Sequence, residues 1–149
     1  DEATRMFGGE IDKMIEDKVM IVFEHDADTP VVGPAIHIAR AIAESMQAQA
    51  GAKISIGINA GMTIAGIMGA ETARLSRTVV GDPVNLAARL AYVASQQAEG
   101  GIVISGHLKG FLPEGFTAET LPIRHVKGKT QEVEACLVRL SHISGQGSA

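Results

Sequence analysis

The sequence has no tryptophan, one tyrosine, four phenylalanines and one cysteine among 149 residues. With aromatics at 3%, base stacking on single-stranded nucleic acid is poorly supplied. The net charge of −4 argues against a basic surface for polyanions, but leaves room for one local phosphate site. A single cysteine, Cys136, excludes an internal disulfide and suits a reducing, cytoplasmic setting. No apolar run reaches membrane-spanning length: Val31 to Ile42 is broken by Gly33, Pro34, His37 and Arg40. The first residues, "DEATRMF", carry no signal-peptide pattern. The histidines His25, His37, His107, His125 and His142 show no metal-ligand spacing. No Ser-His-Asp order or nucleophile elbow is visible. Cys136 lies in an apolar strand, which reads as core rather than as a nucleophile.

What is present is an ordinary folded composition, 46% hydrophobic and 20% charged. One domain is expected over residues 1–141, with 142–149 a flexible tail. Glu2 to Phe7 reads as the end of a helix stopped by Gly8-Gly9. Ile11–Ile15 and Lys18–Phe23 read as a hairpin whose tip is Glu16-Asp17. Asp28-Thr29-Pro30 is expected to open a helix running to about Gln49, with Ile36, Ile38, Ala39, Ile42 and Met46 at helical spacing. Lys53–Asn59 alternates as a strand, and Met62–Ile67 is expected to return beside it. Thr78-Val79-Val80 is a short β-branched run. Asp82 is the expected N-cap, with Pro83 at the first helical position, of a helix reaching about Gln97. Strands follow at Ile102–Ser105, Phe116–Val126 and Val133–Leu140, the last two joined by Lys127-Gly128-Lys129-Thr130. Hairpins mixed with helices indicate α+β around one mostly antiparallel sheet.

Asn85 and Arg89 lie one turn apart on the helix after Gly81, and Tyr92 and Gln96 extend that polar face. Val84, Ala87, Ala88 and Ala91 make the opposite, apolar face. The polar face is either a solvated surface or a holder for an anionic, oxygen-rich ligand. "KGKT" at Lys127 is not a P-loop, because Ile123 stands where that motif needs glycine. The glycines from Gly57 to Gly69 do not have dinucleotide-fingerprint spacing.

Four segments carry a resemblance: "IDKMIEDKVMIVF", "ISIGINAGMTIAGIMG", "TVVGDPVNLAARL" and "VKGKTQEVEACLV". In this order and spacing they resemble the class III nucleotide cyclase catalytic domain, a ferredoxin-like fold, over nearly the whole chain. The resemblance implies conversion of ATP or GTP to the 3′,5′-cyclic monophosphate and pyrophosphate. The ribose 3′-hydroxyl attacks the α-phosphorus, with two Mg²⁺ or Mn²⁺ ions held by two aspartates. It places Asp17 as the second metal aspartate. Lys13 matches the purine-reading lysine and Thr78 its partner toward the adenine amino group, a pair that implies ATP. Asn85 matches the residue orienting the ribose, Arg89 the arginine stabilising the transition state, and Lys127 a triphosphate contact. It also implies a head-to-tail homodimer, in which Asp17 of one subunit serves the nucleotide of the other, and a regulatory domain or partner outside this chain.

Three departures qualify that expectation. The first metal aspartate belongs to a strand and turn that would precede Asp17 by a few dozen residues. Either the sequence is part of a longer protein, or half of the metal site is gone. Glu16 stands where the family has glycine, so either a strained hairpin tip or an added carboxylate beside the metal is expected. Ser55 replaces an arginine that many members aim at the phosphates. A degenerate, nucleotide-binding or dimerising regulatory module is the alternative reading.

Overall fold

The structure, a computed structural model, describes residues 2–25, 31–68, 76–122 and 133–141. A short helix, α1 (Glu2–Met6), leads into the hairpin of β1 (Gly9–Ile15) and β2 (Lys18–Phe23). Helix α2 (Val32–Ala50) follows, then β3 (Ser55–Ile58), β4 (Ile64–Met68) and β5 (Ser76–Val80). Helix α3 (Asp82–Ser95) leads to β6 (Gly101–Ser105) and a 3-10 helix (Gly106–Phe111). Strands β7 (Phe116–Thr120) and β8 (Ala135–Leu140) close the chain. The helix opening expected at Asp28, the turn at Lys127 and the tail from His142 lie outside the described residues.

Ile102, Val103 and Ile104 of β6 organise the core, because successive strand residues face opposite sides of a sheet. Ile102 and Ile104 pack with Val32, Ile36 and Ala39 of α2, and with Leu108 and Cys136. Val103 points the other way, to Leu86, Leu90 and Ala94 of α3. The sheet is therefore sandwiched, with α2 on one face and α3 on the other. A strand buried on both faces reads as a continuous apolar run, which is what Ile102–Ile104 shows. Fully burying a side chain such as Leu90 or Ile36 contributes about 1.5–3 kcal/mol.

Among the described residues the strands form three groups rather than one sheet: β1–β2, β4–β5, and a four-stranded sheet in the order β3-β6-β8-β7. All pairs are antiparallel except β3–β6. The expected return of residues 62–67 beside β3 does not occur. β4 pairs instead with β5, Ile64 opposite Val80, and β3 pairs in parallel with β6. Ile56 and Ile58 have to join the core that Ile102 and Ile104 build with α2, and only the pairing with β6 brings them there.

Two details of α3 also differ from expectation. Gly81, not Asp82, is the capping residue; its carbonyl accepts from the backbone N–H groups of Val84 (3.1 Å) and Asn85 (3.2 Å). Asp82 makes no side-chain cap bond and sits in the first turn with Pro83, where its charge suits the helix dipole. The buried stripe is Leu86, Leu90 and Ala94, while Ala88 is exposed. Leucines decide that face because they remove more area from water than alanines do.

Candidate functional site

The expected site residues ride on three elements: the β1–β2 hairpin, strand β5 and helix α3. Helix α3 is seated on β3 by the absence of a side chain at Gly57. A Cβ there would collide with the backbone of Ala87 and Ala91. Gly61 permits a second close approach, since a Cβ would come within 2.7 Å of Pro83 Cγ. The Asn59 side-chain amide donates to the Pro83 carbonyl at 3.2 Å. The segment Gly57–Gly61 is thus a cradle for the first half of α3. With the leucine stripe turned to the core, Asn85 is exposed and Arg89 half-buried, one turn apart. Among the described residues neither side chain makes a hydrogen bond or ion pair. An amide and a planar cation with unused donors can grip oxygen-rich anionic groups.

Lys13 is half-buried on β1, with Nζ 3.6 Å from Asp12 Oδ2. Adjacent strand residues ordinarily point to opposite faces. The register shift between Ile11 and Lys13 is a bulge that lets this pair meet. Strand β1 lies against β5, so Lys13 is carried by a neighbour of the strand that holds Thr78. Thr78 is placed by its backbone opposite Gly66. The chain passes from Thr78 through Gly81, at a φ of 142° that favours glycine, directly into α3. Lys13, Thr78, Asn85 and Arg89 therefore sit on contiguous elements.

Asp17 is exposed at the hairpin tip, apart from that group along the strand. Glu16 beside it has a φ of 54°, the only positive value outside glycine among the described residues. The strain expected from a glutamate at this turn is present. Lys127 lies outside the described residues. Ser55 is half-buried at the start of β3, opposite Gly101. It is at the other end of the strand from Asn59 and the first turn of α3.

Asp17 and Glu16 supply hard carboxylate oxygens of the kind Mg²⁺ and Mn²⁺ accept. Among the described residues no group of three or more His, Cys, Asp or Glu side chains is arranged to hold an ion. Asp17 and Glu16 are two adjacent exposed carboxylates, and no third ligand joins them among the described residues. Cys136 is buried beneath Thr120 and Glu134, and burial pushes its thiol pKa up. A neutral, shielded thiol is a core residue, as its sequence context indicates.

The sequence reading missed one polar cluster. Ser105 Oγ donates to Asn59 Oδ1 at 2.7 Å and lies 3.0 Å from His107 Nδ1. His107 Nε2 lies 3.2 Å from the Ala60 carbonyl. The only signal in sequence was a serine ending the apolar run Ile102–Ile104, at a position whose alternation is fully buried.

A family model for the adenylate and guanylate cyclase catalytic domain matches residues 13–139. No curated protein matches the chain. Among solved structures, the adenylyl cyclase CyaB from P. aeruginosa aligns with 26% identity and a TM-score of 0.71, over 95% of this chain and 77% of that one. The guanylate cyclase domain of RhGC from Catenaria anguillulae, in complex with GTP, aligns with 25% identity and a TM-score of 0.78, over 95% and 78% of the two chains. A rhodopsin-guanylyl cyclase core with converted specificity, in complex with ATPalphaS, gives 26% identity and a TM-score of 0.76, over 94% and 76%. The matched span takes in Lys13, Asp17, Thr78, Asn85, Arg89 and Lys127, and the chain belongs to the family of adenylate and guanylate cyclase catalytic domains.

Proposed function

We propose that this domain converts ATP to 3′,5′-cyclic AMP and pyrophosphate at a site shared by two copies of the chain. The observation that carries the reading is the α3 arrangement: Asn85 and Arg89 stand one turn apart with unused donors, on a helix clamped to β3. In the reaction the ribose 3′-oxygen forms a bond to the α-phosphorus and the bond to the β-phosphate oxygen breaks. Pyrophosphate leaves, and the hydroxyl proton passes to water.

Asn85 orients the ribose so that the 3′-oxygen meets the phosphorus in line. Arg89 donates to phosphate oxygens as their charge builds, and its guanidinium needs no proton to do so. The Lys13 ammonium donates to an adenine ring nitrogen, and the Thr78 hydroxyl accepts from the amino group. Lys127 contacts the triphosphate. Asp17, with Glu16 beside it, would hold Mg²⁺ or Mn²⁺, whose charge offsets that of the phosphates when bound. The similar structures include one with GTP and one with an ATP analogue, so the fold accommodates both purines. Lys13 and Thr78 support adenine, because guanine presents an N–H where adenine presents a ring acceptor.

Sharing between two copies is supported by where the exposed apolar side chains fall. Met14, Ile15 and Val19 lie on the β1–β2 hairpin, and Met62, Ile64 and Ile67 on and just ahead of β4. Large apolar side chains left exposed on two hairpins are of the kind that a partner surface covers. The carboxylate of Asp17 then reaches the nucleotide of the partner copy, in a homodimer with two equivalent sites. A cytoplasmic setting and a regulatory domain or partner outside this chain complete the proposal; among the described residues no helix is long and apolar enough to cross a membrane.

Product formation from ATP and from GTP, with Mn²⁺, tests the reading. Arg89→Ala should lower turnover by about 100-fold or more, as removal of a transition-state charge donor does elsewhere. Unchanged turnover would remove Arg89 from the mechanism, and cyclic GMP as the main product would overturn the base assignment. The strained Glu16 favours a second reading, a nucleotide-binding domain without turnover. Calorimetric binding of a non-hydrolysable ATP analogue, with no cyclic product from ATP, would establish that one.

A further inference from the structure

The cluster of Asn59, Ser105 and His107 lies outside the set of residues expected to touch nucleotide, yet it joins four elements. Ser105 ends β6, is 1% exposed, and is the hub. A hydroxyl buried to that extent requires partners, and it has two, at 2.7 Å and 3.0 Å. Asn59 follows β3. Its carbonyl oxygen accepts from Ser105, and its N–H group donates to the Pro83 carbonyl in the first turn of α3. His107, in the 3-10 helix, faces the Ala60 carbonyl. A carbonyl can only accept, so Nε2 carries the hydrogen and donates to it; Nδ1 is then an acceptor that shares the one Ser105 hydroxyl hydrogen with Asn59 Oδ1.

These contacts form one chain of hydrogen bonds, from the 3-10 helix through β6 and the residue after β3 to α3. The Pro83 carbonyl, which can only accept, fixes the Asn59 amide in one orientation: reversing it would set two oxygens against each other. Gly57 and Gly61 let α3 approach closely, but a glycine contact sets only a separation. The Asn59 bond adds a directional tie at the helix start, two residues before Asn85.

We propose that Asn59, held by Ser105 and His107, is a positioning residue that fixes the first turn of α3, and through it sets where Asn85 and Arg89 point. The bond from Asn59 to Pro83 is directional, which suits a helix that has to present two side chains within a fraction of an ångström.

Two variants test this. Asn59→Asp keeps the shape and the acceptor for Ser105, and sets a carboxylate oxygen against the Pro83 carbonyl in place of the donor. Asn59→Ala removes both bonds. For each, steady-state kinetics with ATP are measured beside backbone hydrogen exchange. The kinetic arm rests on the cyclase reading; the exchange arm does not. Wild-type protein that makes no cyclic nucleotide sinks the cyclase reading and leaves exchange to decide the inference. The expected result is faster exchange at Val84 and Asn85, with Leu90 and Ala94 still protected. In an active protein kcat falls about tenfold, consistent with misplacement of an oriented group, while KM changes less than threefold. Ser105→Ala combined with Asn59→Ala should be no worse than Asn59→Ala alone, because both cut the same chain. The inference is overturned if Asn59→Asp leaves exchange at Val84 and Asn85 unchanged. It is also overturned if exchange rises uniformly along α3, or if kcat falls only in proportion to the folded fraction.

Discussion

In the four-stranded sheet Val103 and Ile104 are wholly shielded, whereas Ile64 and Ile67 of the β4–β5 hairpin remain 73% and 72% exposed. Both regions are built from strands of similar apolar content. The difference lies in what covers them. The sheet has α2 on one face and α3 on the other, while the hairpins meet few partners within the described chain. The candidate residues divide along the same line. Asn85 and Arg89 sit on a helix packed into the core. Lys13, Asp17 and Thr78 sit on the hairpins, where Met14, Ile15, Val19, Ile64 and Ile67 stay exposed in a single copy. The groups that would act on ribose and phosphate are thus preorganised by folding. Those that would read the base or hold metal depend on elements that a second copy would steady.

The sharpest way to break this comparison is at Gly57. A valine there would drive Cβ and two methyl groups into the α3 backbone between Ala87 and Ala91. Backbone cannot rotate away as a side chain can. A loss of about 3 kcal/mol or more is expected, at or beyond the usual range for overpacking. Denaturant unfolding measures it directly. A loss below about 1 kcal/mol would mean that α3 is not seated on β3 as described, and that the contrast between core and hairpins is overstated.

A smaller effect of opposite sign is expected at Glu16. Its φ of 54° costs a residue with a Cβ more than it costs glycine. Glu16→Gly relieves that strain but gives the unfolded chain more freedom, so the net gain is about 0.5–1 kcal/mol. The midpoint of thermal unfolding should rise by a few degrees, which is the scale of such a change in a domain of this size. A drop would show that the hairpin tip is not strained, and that the glutamate is accommodated there.

Most elements were legible in the sequence because their signals are local. The Glu16-Asp17 hairpin was marked by its two apolar flanks, α3 by Gly81-Asp82-Pro83, and β6 by its uninterrupted apolar run. What misled is non-local or ambivalent. Residues 62–67 read as a partner for β3, because nothing nearby says that β3 pairs with β6, a strand more than forty residues on. Alanines gave α3 two plausible apolar faces, and only packing on Val103 shows that Leu86, Leu90 and Ala94 point inward. The candidate site residues come from the resemblance alone, since the spacing of Asn85 and Arg89 fits a solvated face equally well. The Asn59–Ser105–His107 chain left no motif at all, because its members meet only when β3, β6 and the 3-10 helix are assembled.

The smallest expected effect on folding is the one that most sharpens the comparison. Met62 is 94% exposed and Ile67 nearly three-quarters so, and neither buries enough area in a single copy to stabilise it. Replacing both with serine should change the free energy of unfolding by no more than about 0.5 kcal/mol at concentrations where the chain is monomeric. The same pair should weaken self-association, because apolar area that stays wet in one copy contributes only when a second covers it. Sedimentation of wild type and double variant over a range of concentrations separates the two quantities. Unfolding free energy held constant while the dimer dissociates at lower concentration supports the division drawn above. If unfolding instead costs as much as a core substitution, the hairpins are part of the core after all. The candidate base-reading and metal residues would then rest on the same rigid support as Asn85 and Arg89.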